Sequence, residues 1–131
     1  MTHGKKPGMV LLDSNIVIYL RDPRWGRGIA SQLSDERLHT CNVIIAEVLG
    51  FNGLETTEAY YFERLFLTMK NHPFNDSVTK KVIELRRIMR IQMPDAIIAA
   101  TALQNNLVLW THNTSDFKDI PNLGLFDPLS V

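Results

Sequence analysis

Four acidic residues, Asp13, Glu47, Asp95 and Asp116, each stand in or beside an apolar run, where an isolated charge is out of place. Asp13 closes Val10-Leu11-Leu12, and Glu47 divides Val43-Ile44-Ile45-Ala46 from Val48-Leu49. Asp95 opens Ala96-Ile97-Ile98-Ala99-Ala100, and Asp116 precedes Phe117. Apolar flanks predict burial around each of them. A carboxylate withdrawn from water takes up a proton, pairs with a cation or coordinates a metal. Bringing several within about 4 Å of one another costs roughly 4 kcal/mol per pair at an effective dielectric of about 20, so such a cluster persists only with protons or cations bound. Oxygen-only donors select a hard ion, Mg²⁺ or Mn²⁺, whereas zinc calls for His or Cys. The histidines His3, His39, His72 and His112 are scattered and form no zinc spacing. Magnesium held by a few carboxylates keeps several waters and meets its substrate through a phosphate oxygen, which points to phosphoryl chemistry.

Each acid also has a plainer account. Asp13 could cap a helix beginning near Asn15, Asp95 could complement a helix dipole from the first turn, and Asp116 could cap a turn before Phe117. Glu47 is harder to dismiss. It sits mid-helix among aliphatic residues, with no base three or four positions away to pair with it.

The elements that must carry these acids follow from the apolar pattern. Met9 to Leu12 reads as a strand, followed by a turn and a short helix through Ile16-Val17-Ile18-Tyr19-Leu20. Residues 25–36 read as a helix, Leu38 to Cys41 as a second strand, and Val43 to Phe51 as a helix that stops near Asn52-Gly53. Tyr61, Phe62, Leu65, Phe66 and Met69 give residues 56–70 the spacing of a helix with one buried face. The next helix is expected to start with Asp76 as its N-cap and to turn Val78, Val82, Leu85, Ile88 and Met89 inward. Pro94-Asp95 begins another, running to Asn105-Asn106. Leu107 to Trp110 and Leu123 to Phe126 read as strands. Short apolar strands between helices, without the alternation of a half-exposed sheet, indicate an α/β domain with a parallel sheet covered on both faces. Ligands of such sheets bind beyond the carboxyl ends of the strands. Asp13 stands at one such end, and Asp116 follows Trp110 in the loop after another.

At 131 residues the chain fits one domain, expected over residues 9–131 after a loose, Gly- and Pro-containing leader at residues 1–8. A domain of this size buries roughly two-thirds of its unfolded surface and needs no disulfide or structural zinc. The lone Cys41 excludes an intramolecular disulfide framework, suits a reducing cytoplasm, and reads as a small buried hydrophobe. No apolar run approaches the roughly 18 to 20 residues of a membrane helix, so a soluble protein without a membrane partner is expected. Fourteen basic and fourteen acidic residues cancel, so net charge gives no argument for nucleic acid. The charges are nonetheless segregated. Lys80, Lys81, Arg86, Arg87 and Arg90 face only Glu84 in their stretch, while Glu55, Glu58 and Glu63 share theirs with no base. A solvated helix face or a phosphate-contacting strip would each account for the basic run.

Four segments together carry a family likeness: Leu12-Asp13-Ser14-Asn15, Ala46-Glu47, Pro94 to Ala102, and Thr111-His112-Asn113-Thr114-Ser115-Asp116-Phe117. From Met9 onward the chain resembles the PIN-domain ribonucleases, especially the VapC-type toxins of toxin–antitoxin modules. The resemblance implies a three-layer α/β/α domain with about five parallel strands. It also implies Mg²⁺- or Mn²⁺-dependent endoribonuclease activity, a homodimer, and inhibition by a cognate antitoxin. On this reading Asp13, Glu47, Asp95 and Asp116 form the catalytic metal site. Asn15 and Thr111 support it, with Ser14 and Asn113 as further candidates. Arg86, Arg87 and Arg90 would guide RNA toward it. His112 departs from the pattern, because the family often carries arginine there, and any phosphate contact it made would depend on pH. Tyr60, Tyr61, Phe62 and Phe66 are candidates for the antitoxin or dimer surface, or else for the core. Two other functions stay open: a catalytically silent PIN-like binding protein, and a phosphatase with Asp13 as nucleophile. The latter commonly wants a second aspartate where this chain has Asn15.

Overall fold

A computed structural model of the chain describes residues 9–34 and 36–130; the expected leader at residues 1–8 lies outside the described residues. The elements run β1 (Val10–Leu12), α1 (Ser14–Tyr19), α2 (Gly26–Gln32), β2 (Leu38–Cys41), α3 (Asn42–Leu49), α4 (Thr56–Leu67), β3 (Lys70–His72), α5 (Asp76–Ile88), α6 (Met93–Gln104), β4 (Val108–Trp110), a 3₁₀ turn (Thr114–Asp116) and β5 (Leu125–Phe126). The strands form one sheet in the order β3-β2-β1-β4-β5, every neighbouring pair parallel. Successive side chains of a strand point to opposite faces. All three residues of β1 and of β4 are buried, so both faces of the sheet centre are covered by helices. Leu11, Leu12, Leu109, Ile16, Ile44 and Ile98 lose all their accessible surface in this core, and Cys41 is buried with them. Among the described residues no helix is long and apolar enough to cross a membrane.

Helix α6 is the most enclosed of the helices. Every residue from Ala96 to Ala102 is buried, because alanines let α5 and the sheet approach closely on all sides. Gln92 is its N-cap and Pro94 lies in its first turn, where a missing N–H costs nothing.

Several expectations shift. The apolar pattern did not mark strand β3: Lys70 and Asn71 are exposed and only His72 is buried, so this edge strand lacks the apolar run of β1 and β4, and the preceding helix ends at Leu67 rather than residue 70. Helix α2 ends at Gln32, short of residue 36, and α3 ends at Leu49 with Gly50 as its C-cap. The N-cap of α5 is Asn75, whose Oδ1 accepts the Val78 N–H at 3.0 Å, placing Asp76 inside the first turn. Val78, Val82 and Leu85 are buried as expected, but Ile88 lies to one side of that stripe and is 65% exposed. Phe62 and Phe66 belong to the core, whereas Tyr60 is exposed.

Candidate metal centre

The sheet order places the site. From β1 the chain moves outward to β2 and β3, then returns to add β4 and β5 on the other side, so the carboxyl ends of β1 and β4 form the point where open α/β sheets bind ligands. Asp13 is the first residue beyond β1, and its backbone N–H extends the ladder by donating to the Trp110 carbonyl at 2.9 Å. The side chain is 5% exposed and is tolerated because it is well bonded. Its Oδ1 accepts the Ser14 N–H at 2.8 Å, capping α1. Its Oδ2 accepts the Thr111 hydroxyl at 2.8 Å and the Asn15 Nδ2 at 3.4 Å. Asn15 Nδ2 also lies 3.4 Å from Thr111 Oγ1, while Asn15 Oδ1 accepts the His112 N–H at 3.1 Å. The Asn113 N–H donates to Thr111 Oγ1 at 3.0 Å. Burial pushes the Asp13 carboxyl above its ordinary range; the bonds from Thr111, Ser14 and Asn15 oppose the rise and the charge of Asp116 adds to it.

The other three acids act on this region from separate elements. Asp95, partly buried in the first turn of α6, has its pKa raised to about 6, first by burial and then by the charges of Asp13, Asp116 and Glu47. Glu47 on α3 is raised by desolvation and by Asp13, against the Ser14 hydroxyl. Asp116 closes the 3₁₀ turn. The burial expected from apolar flanks therefore holds for Asp13 and in part for Asp95, and fails for Glu47 and Asp116, which are exposed. Their neighbours Ile44, Val48 and Phe117 enter the core, while the carboxylates turn outward. Among the described residues no three His, Cys, Asp or Glu side chains form a group ready to hold a metal ion. The acids feel one another's charge, but they do not make a preformed coordination shell. Their chemistry nonetheless fits a hard divalent cation: the donors are carboxylate oxygens, and the charges acting on Asp95 are all negative.

Beside the acids opens a cleft of about 480 Å³ lined by Asp95 and Asp116 together with Arg86, Met89, Arg90, Ile91 and Gln92. Arg86 Nη1 donates to Met93 Sδ at 3.6 Å. Arg87 is exposed and does not line the cleft. The His112 ring turns to Asp127, with Nδ1 3.0 Å from Oδ2, rather than to any of the four acids. Gln92 and Asp127 were not singled out from the sequence; Gln92 had only its place before Pro94 to mark it, and Asp127 had no local signal. The structure also brings together two of the supposedly scattered histidines. His39 Nδ1 and His72 Nε2 are 2.8 Å apart in the interior, a distance at which the rings share a proton instead of flanking a metal.

The family model of the PIN domain matches residues 10–123. A comparison with curated proteins gave no match. Among solved structures, a toxin–antitoxin complex from Klebsiella pneumoniae is 27% identical with a TM-score of 0.76, covering 91% of this chain and 97% of that one. VapBC-1 from nontypeable Haemophilus influenzae is also 27% identical, with a TM-score of 0.77 and coverage of 92% and 98%. FitAcB from Neisseria gonorrhoeae, 21% identical over 94% of this chain and 100% of that one, shares the fold at a TM-score of 0.77. With all four acids inside the matched span, this chain belongs to the PIN-domain family.

Proposed function

We propose that this chain is a metal-dependent endoribonuclease acting in the cytoplasm, the toxin of a toxin–antitoxin module. The observation that carries the reading is Asp95. Burial first, and then the charges of three acids from three other segments, raise its pKa to about 6, and a bound divalent cation would relieve that field. The likeness to the Klebsiella and Haemophilus toxin–antitoxin structures supports the biological role.

In this reading Asp13, Asp95 and Asp116 hold one or two Mg²⁺ or Mn²⁺ ions, and Glu47 completes the site or orients the attacking water. When bound, the cation supplies charge neutralisation at the scissile phosphate and an acidified water. The chain's own residues do the positioning. Thr111, Ser14 and Asn15 fix the Asp13 carboxylate. Glu47, raised above its ordinary range by desolvation and by Asp13, is suited to take the proton of the attacking water. Arg86 and Arg90 reach the backbone of an RNA strand lying in the cleft beside Asp95. Cleavage leaves a 5′-phosphate and a 3′-hydroxyl. A free nuclease of this kind would be toxic, so a cognate antitoxin is the expected partner, and the working form is a homodimer.

The test is cleavage of total RNA by purified protein with and without Mg²⁺, beside Asp13→Asn. Cleavage that needs the cation and is lost by more than about 100-fold in the folded variant is the expected result. A variant that cuts at the wild-type rate sinks the assignment.

A further inference from the structure

The His112 ring approaches Asp127 and none of the four acids. It sits between Thr111 and Asn113, both of which bond within the network around Asp13. Because a carboxylate can only accept, His112 Nδ1 donates to Asp127 Oδ2 at 3.0 Å. Tyr19 meets the ring edge-on, centroid to centroid 5.9 Å. Asp127 is itself anchored: its Oδ1 accepts the Leu129 N–H at 2.9 Å, and its carbonyl accepts the Ser130 hydroxyl at 3.0 Å. One residue earlier, the Phe126 carbonyl accepts the Thr111 N–H at 3.0 Å. Residues 111 and 112 are thus fastened to the end of β5 at two adjacent points.

The other side of His112 faces the centre. Its N–H donates to Asn15 Oδ1 at 3.1 Å, and this decides which end of the Asn15 amide meets Asp13. With the oxygen engaged, Nδ2 is left facing Asp13 Oδ2 and Thr111 Oγ1. A flipped amide would set oxygen against carboxylate and leave the His112 N–H without an acceptor.

We propose that Asp127 is a positioning residue for the metal centre, acting through the His112 ring and backbone on the Asn15 amide that orients the Asp13 carboxylate. The proposal rests on the nuclease reading above. The Asp127 side chain is 13% exposed and that of His112 46%, so the contact is partly screened from solvent. Its effect is on orientation. Partners of this kind, one step removed from a metal ligand, typically change affinity or activity by about 10- to 100-fold.

The experiment uses the full chain and measures Mn²⁺ affinity by calorimetry, with kcat and KM on RNA, for Asp127→Ala, His112→Ala and the double variant. Each single change is expected to weaken Mn²⁺ binding and lower kcat about 10-fold with KM unchanged, and the double variant is expected to be no worse than either. Asp127→Asn, which keeps an oxygen facing Nδ1, retains most of both. Should Asp127→Ala fail to fold, His112→Phe keeps the packing on Tyr19 without a nitrogen and carries the same expectation. Unchanged Mn²⁺ affinity and kcat, multiplicative losses in the double variant, or a rise in KM alone overturns the proposal; the last would mean that His112 touches RNA directly. Wild-type protein that neither binds Mn²⁺ nor cuts RNA overturns the nuclease reading instead, and the inference falls with it.

Discussion

Replacing Asp95 by asparagine is expected to make the protein more stable in the absence of divalent cations. The native carboxyl is raised from its ordinary 3.8 to about 6, so between those values the folded chain binds a proton that the unfolded chain releases. Stability from this group is therefore greatest at low pH and falls as pH rises through the window, leaving the full cost in place above about pH 6. At about 1.4 kcal/mol per pH unit the gap sets an upper bound of about 3 kcal/mol. Asp95 is only partly buried, and solvent screening reduces the figure to about 1–2 kcal/mol. Asparagine keeps the shape and removes the charge. For a chain of this length the gain corresponds to a rise in Tm of roughly 3–8 °C. The assay is unfolding of wild type and variant in chelator at about pH 7.5 and again at about pH 4, where the advantage should shrink toward zero. Millimolar Mg²⁺ should then stabilise wild type more than the variant. A variant no more stable than wild type at the higher pH, or an advantage unchanged at the lower one, would refute the claim that burial and the neighbouring carboxylates together disfavour the charge on Asp95.

Thr111→Val removes the donor to Asp13 Oδ2 and the acceptor of the Asn113 N–H, and should cost about 1–3 kcal/mol in urea unfolding. His72 is held below its ordinary 6.5 by burial, then by His39 and Lys70. Its contribution is therefore intact above pH 6.5 and lost as pH falls below it, and His72→Gln should flatten the decline in urea midpoint between about pH 7.5 and 5.5. Arg86→Ala and Arg90→Ala, which strip the cleft of its bases, should each weaken RNA binding and lower its salt slope by about one, as fluorescence anisotropy would show. Arg87→Ala, outside the cleft, should do neither.

What the sequence disclosed and what it withheld have physical reasons. The apolar runs of β1 and β4 and the alanine-rich α6 were legible because burial on both faces forces continuous hydrophobicity. Lys70-Asn71-His72 was not, since an edge strand with two exposed residues has no such pattern. The N-cap of α5 fell on Asn75 rather than Asp76 because both are good caps and neighbours in sequence. The four acids could be picked out by their apolar neighbours, but neighbours do not fix side-chain direction, so the exposure of Glu47 and Asp116 was invisible. Pairings across long separations, His39 with His72 and His112 with Asp127, depend on strand order, which one-dimensional pattern does not encode.

The burial of residues 96–102 of α6 has a consequence for how the centre adapts to a ligand. A helix wedged among close-packed neighbours cannot tilt or slide without opening voids, so Asp95 is a fixed datum. Asp116 rides on a three-residue turn at the surface, anchored on one side by the buried Phe117. In the proposed complex with RNA, adjustment is therefore expected at the turn, with the helix as its fixed reference.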